Sequence, residues 1–119
     1  MLRIIKILMT TIQFIQGMDE EVTAEVRLTR SLSGNNGTAT LTFENPKALS
    51  QDLSKDITGM YMIDEEGEMF SREVKAKFVN GEPKSLEGLY VMKSQVEWDR
   101  FMRFMERYAK EHGLEFNKA

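Results

Sequence analysis

Two stretches of strict alternation set the first expectation for this chain. From Val22 to Thr29, apolar Val22, Ala24, Val26 and Leu28 alternate with Thr23, Glu25, Arg27 and Thr29, the period of two that marks a strand with one buried face. Alternation resumes with Ala39, Leu41 and Phe43 against Thr38, Thr40, Thr42 and Glu44. Between them lies Ser33-Gly34-Asn35-Asn36-Gly37, whose glycines and asparagines tolerate positive φ, so the two runs predict an antiparallel hairpin. Upstream, the β-branched and aromatic residues from Thr10 to Ile15 predict a first strand. Pro46 closes the hairpin's second strand, and Asn45 to Asp56 is polar and irregular, with room for one helical turn. Thr58 to Ile63 predicts a further strand, and Asp64-Glu65-Glu66-Gly67 a turn into the long run Glu68 to Val79. In that run Phe70, Val74, Ala76 and Phe78 share a face opposite Lys75 and Lys77. Asn80-Gly81 is a strong two-residue hairpin signal, and Leu86 to Lys93 is the returning strand.

The period changes at Ser94. Ser94-Gln95-Val96-Glu97 matches a capping box, in which serine and glutamate satisfy free backbone donors at a helix start. Trp98, Phe101, Met105 and Tyr108 then recur at helical spacing, joined by Met102 and Ala109, and Gly113 is a natural stop. Burying each large member of that stripe contributes roughly 1.5–3 kcal/mol before entropy, so the helix must cover the sheet. The prediction is a single α+β domain: an antiparallel sheet with a C-terminal amphipathic helix packed on it.

Composition narrows the chemistry. The 119 residues suit one core, and a net charge of −3 lacks the basic excess of a nucleic-acid binder. With no cysteine, disulfides, thiolate metal sites and cysteine nucleophiles are excluded. Met1 to Leu8 is apolar but interrupted by Arg3 and Lys6. It reads as an upstream start or an extra strand ahead of a domain spanning 9–119, rather than as a signal sequence. No run approaches the roughly 18 apolar residues of a membrane span. His112, the single histidine, has only Glu111 and Glu115 as acidic neighbours, and is expected to face water at the helix end. The acidic run Asp64, Glu65, Glu66 and Glu68 lacks calcium-loop spacing and reads as a solvated turn. Asp19-Glu20-Glu21 reads likewise, or as a patch that steers a basic partner. No phosphate-binding loop or nucleophile elbow is present. No catalytic residue, metal ligand or cofactor is expected, and the chain reads as a docking domain rather than an enzyme.

What remains is surface. Arg100, Arg103 and Arg107 lie at i, i+3 and i+7, one basic stripe along the helix. It is either a solvated face balanced by Asp99 and Glu106, or a docking stripe for carboxylates or anionic lipid headgroups. Arg27 and Arg30 lie on or beside the outward face of their strand, where guanidinium groups present paired donors to a partner's carboxylates. The nine methionines either fill core gaps or form an adaptable surface. Open sheet edges offer free backbone groups to an added strand.

Several runs together resemble a known family. They are Ile12-Gln13-Phe14 with Gly17, Glu25-Val26-Arg27-Leu28-Thr29-Arg30-Ser31, Gly37-Thr38-Ala39-Thr40, Asp56-Ile57-Thr58-Gly59-Met60-Tyr61 and Asp64-Glu65-Glu66-Gly67. Tyr90-Val91-Met92-Lys93-Ser94 and the run from Glu97 to Ala109 complete the set. From Met9 onward the chain resembles the photosystem II assembly proteins, subunit twenty-eight of the Psb series. The resemblance implies a bent antiparallel sheet with helices, in a peripheral protein on the cytoplasmic (stromal) face of the thylakoid membrane. Its partners would be incomplete photosystem II, at the larger inner antenna subunit and reaction-centre core, which it would leave before the mature complex works. Ala24 stands where the resemblance implies a proline, a change that frees one backbone donor.

Overall fold

The computed structural model describes residues 10–34, 36–50 and 53–114. The segment Met1 to Leu8 and the start at Met9 lie outside the described residues. The chain runs β1 (Thr11–Gln13), β2 (Glu25–Arg30), β3 (Gly37–Glu44), β4 (Met60–Asp64), β5 (Gly67–Ser71), β6 (Val74–Val79), β7 (Glu82–Met92) and α1 (Gln95–His112), with 3₁₀ turns at Lys47–Leu49 and Leu53–Asp56. All pairings are antiparallel, and the fold is α+β as expected. The strands divide into a three-stranded sheet, β1-β4-β5, and a four-stranded sheet, β2-β3-β7-β6. The two are tied at Leu89: its N–H on β7 donates to the Glu73 carbonyl, and the Ser71 hydroxyl donates to its carbonyl.

That tie explains where the periodicity misled. Glu68 to Val79 reads as one long run with Phe70, Val74, Ala76 and Phe78 in phase, yet the chain changes sheets at Arg72-Glu73. Tyr61 takes Phe70 as its ring neighbour on one sheet, centroids 4.8 Å apart. Phe78 stands on the other sheet, 63% exposed beside a register shift opposite Pro83. The two phenylalanines therefore do not share a face. The alternation starting at Val22 likewise extends beyond the ladder, which begins at Glu25. The β2–β3 hairpin forms as expected, with Val26 opposite Leu41 and Leu28 opposite Ala39. The β6–β7 turn is Asn80-Gly81, with φ of 53° and 82°, the left-handed pair that matches strand twist.

The core fills the space between both sheets and α1. Met60, Met62, Met69, Met92, Met102 and Met105 are all buried there, so these methionines are core filling rather than an adaptable surface. Phe104, absent from the expected stripe, is also fully buried. It widens the helix's apolar face and continues a ladder of rings from Tyr90 through Phe101 and Phe104 to Tyr108. Two glycines admit this packing. A Cβ on Gly37 would fall 2.4 Å from the Trp98 ring, and one on Gly88 2.3 Å from Met60 Sδ, both closer than atoms approach. Ser94 caps α1 by accepting from the Glu97 N–H (3.2 Å), while Glu97 reaches back past Ser94 to the Lys93 N–H (2.8 Å). Gly113 closes the helix in the left-handed conformation.

Candidate functional site: the charged surfaces

The arginine stripe and the acidic turn, whose bonded residues lie 36 to 43 positions apart in sequence, meet. Helical spacing puts Arg100, Arg103 and Arg107 on one face, and the β4–β5 hairpin brings Asp64, Glu65 and Glu66 against it. Arg100 donates to both Asp64 oxygens (2.8 and 2.6 Å). Arg107 bridges Asp64 (2.8 Å) and Glu66 (2.6 Å) and lies 3.4 Å from Glu65. Arg103 forks onto Glu66 (2.8 and 2.9 Å). The turn is itself ordered by the Glu66 N–H donating to Asp64 Oδ1. The balancing carboxylates are thus those of the hairpin, and the turn is an internal partner rather than a solvated loop.

The electrostatics follow from that geometry. Burial of Asp64 acts to raise its pKa, but hydrogen bonds from Arg100, Arg107 and the Glu66 amide outweigh it and hold the carboxyl below its usual range. Glu66, bonded first by Arg103 and then by Arg107, is lowered from 4.5 to about 2. Both guanidinium groups are stabilised in return, their pKa values raised chiefly by Glu66. Three cations facing three anions do not present an open cationic face to a lipid surface.

Arg27 and Arg30 differ. Both project from β2, an edge strand of the four-stranded sheet. Arg27 is exposed on the outward face, opposite Thr40. Arg30 lies over the Trp98 ring at 4.6 Å and donates to the Gly34 carbonyl and to Gln95 Oε1. Among the described residues neither has a carboxylate partner. The structure therefore brings Arg100, Arg103 and Arg107 together and leaves Arg27 and Arg30 apart from them.

Other charged groups proved structural. His112 does not simply face water: it stacks on Tyr108 with centroids 4.2 Å apart, and its Nε2 donates to the Thr10 carbonyl at 3.0 Å. Glu111 accepts from the Thr10 N–H and hydroxyl, so the helix end is fastened to the start of β1. Of the triplet Asp19-Glu20-Glu21, Glu20 is buried and accepts the Lys47 and Ala48 N–H groups of a 3₁₀ turn (2.6 and 2.9 Å). Asp19 accepts from Gln13, and Glu21 pairs with Lys47. The sequence offered one clue, three cations spaced for one helix face and a three-carboxylate turn, but only the sheet topology makes them neighbours.

Comparison with known proteins supplies the family. The family model described as Psb28 protein matches residues 12–116. The chain belongs to the Psb28 family. It is 77% identical over 111 residues to the Photosystem II reaction center Psb28 protein of Trichodesmium erythraeum, covering 93% of this chain and 98% of that one. It is 66% identical over 111 residues to the protein of that name from Nostoc punctiforme, with the same coverage. The Photosystem II reaction center Psb28 protein of Pyropia yezoensis is 57% identical over 113 residues, covering 93% of this chain and 98% of that one. The Psb28 match spans every strand except the first residue of β1, and includes Arg27, Arg30, Arg100, Arg103 and Arg107. No helix among the described residues is long and apolar enough to cross a membrane.

Proposed function

We propose that this protein is a non-catalytic assembly or repair factor for photosystem II. It binds incomplete complexes from the cytoplasmic (stromal) side of the thylakoid membrane, beside the larger inner antenna subunit and the reaction-centre core. The match to the Psb28 family along nearly the whole chain carries this reading, because its relatives are named for the photosystem II reaction centre. The ion pairs support docking rather than chemistry: many of the charged side chains pair across elements and serve to hold the fold. Edge strand β2 supplies free backbone groups, and a partner strand laid along it meets Arg27 and Arg30. Arg100, Arg103 and Arg107 contribute as a composite surface together with Asp64 and Glu66, rather than as bare cations.

A tagged copy isolated from thylakoids, with complexes separated by size and probed for photosystem II subunits, tests the reading. Recovery with incomplete, oxygen-inactive complexes and absence from mature dimers is the expected result. Recovery with mature complexes makes it a constitutive subunit, and recovery without any photosystem protein refutes the role. Arg27→Gln with Arg30→Gln should weaken recovery more than Lys110→Gln.

A further inference from the structure

One end of the four-stranded sheet has a composition unlike the rest of the molecule. The β2–β3 loop, the last residues of β7 and the first turn of α1 meet there. The Ser31 N–H donates to the Asn36 carbonyl across the loop, Gly37 pairs with Met92 and Thr38 with Val91, and Arg30 reaches Gln95 at 2.9 Å. Neither Val26 to Phe43 nor Gly88 to Val96 contains an aspartate or glutamate, in a chain whose net charge is −3. The next acids, Glu97 and Asp99, have carboxylates engaged by the Lys93 N–H and by Gln95. Arg30 and Lys93 make no ion pair among the described residues. They line a cavity of about 340 Å³ together with Thr29, Ser31, Thr38 and Val91. Val91 in its lining is 47% exposed, and Leu32 and Val96, next in sequence to Ser31 and Gln95 at this end, are 109% and 77% exposed.

We propose that this end is a contact site for an anionic lipid headgroup at a bilayer surface. The cavity takes the phosphate or sulfonate between Arg30 and Lys93, with the hydroxyls alongside, while Leu32 and Val96 enter the headgroup–acyl boundary. Charge complementarity selects the occupant, since cations without carboxylates attract an anionic surface. Shape selects a bilayer over a protein. Leu32 projects singly from a loop of small residues, whereas a protein interface needs about 800 Å² per partner of complementary surface. The inference rests on the reading that the protein works at a membrane surface, and it places the contact on the sheet end rather than on the helix stripe.

The test is co-sedimentation of the purified full chain with vesicles of phosphatidylcholine alone or with phosphatidylglycerol added. Partition onto the mixed vesicles and none onto phosphatidylcholine is expected. Lys93→Gln should reduce partition about fivefold, the weight of one cation near an anionic surface. Leu32→Ser should reduce it roughly tenfold through lost apolar burial, and neither change touches the core. Lys110→Gln, equal in charge change but near the far end of α1, should leave partition unaltered. Equal binding to both vesicles, equal loss in Lys110→Gln, or no loss in Leu32→Ser overturns the proposal. Displacement by inorganic phosphate beyond that by chloride of equal ionic strength also overturns it, in favour of a soluble anion. No photosystem subunit is present, so failure here with intact recovery on photosystem II complexes refutes the lipid contact alone.

Discussion

Ala24 has a backbone N–H that lies in the protein interior, and the hydroxyl of Tyr108 receives it at 3.0 Å. A proline at this position, which the family resemblance implies, would have no such donor. The alanine is therefore compensated by a partner 84 residues away, on α1, where burial also pushes the Tyr108 phenol up in pKa. Tyr108→Phe should destabilise the fold by about 1–3 kcal/mol, because it strands a buried donor. In an Ala24→Pro background the same change should cost markedly less, and a urea-denaturation cycle reads the difference. Equal costs in both backgrounds would mean that the hydroxyl acts through another group. The donor's existence was legible from the sequence. Its acceptor was not, because nothing local marks which of three tyrosines turns inward at that point.

At the scale of elements, the β4–β5 hairpin is clasped to α1 by charge, and the members of the clasp are unequal. Asp64 has a fully buried side chain holding two arginines that are 18% and 26% exposed. Asp64→Asn should cost about 2–3 kcal/mol, somewhat less than for a fully buried pair because both guanidinium groups keep water. Arg103 is about half exposed, and Arg103→Gln should leave the denaturation midpoint nearly unchanged. Acid has a defined effect. Both carboxyl pKa values are lower in the fold than in the unfolded chain, so their stabilisation is complete above about 4.5. It is lost as pH falls toward about 2 for Glu66. Thermal melts should therefore show no pH dependence from the clasp near neutrality, where its contribution is complete, and a progressive loss below pH 4.5, shallower in Glu66→Gln. Elements defined by neighbours in sequence were readable in advance: the capped helix, the Asn80-Gly81 turn and the β2–β3 hairpin. The break at Arg72-Glu73 was not, since neither residue is a turn former and the apolar positions resume in phase at Val74. The clasp was not readable either, because spacing along a helix says nothing of which hairpin lies beside it.

Across the whole molecule, the two sheets share one core, one helix and the junction at Leu89. Strand β7, 11 residues long, pairs with β3 and β6 and carries that junction. Neither sheet has a second layer of its own, so unfolding should be a single cooperative event. Calorimetric and van't Hoff enthalpies should agree, and a resolved early transition would show that the three-stranded sheet opens independently. The same integration explains why the domain resists a reading by sites. Its ionisable groups mostly fasten one element to another, leaving the β2 edge and the β2–β3 end as the surfaces with unspent capacity.

The packing of Trp98 against Gly37 and beneath Arg30 gives the molecule an optical address. It is the only tryptophan in the chain, nearly shielded from water, with a guanidinium 4.6 Å from its ring. Its emission in the folded state should be blue-shifted and sensitive to whatever draws Arg30 away. Any ligand that engages this end of the sheet therefore announces itself in the fluorescence of the unlabelled protein, while one that binds at the β6–β7 turn leaves the spectrum still.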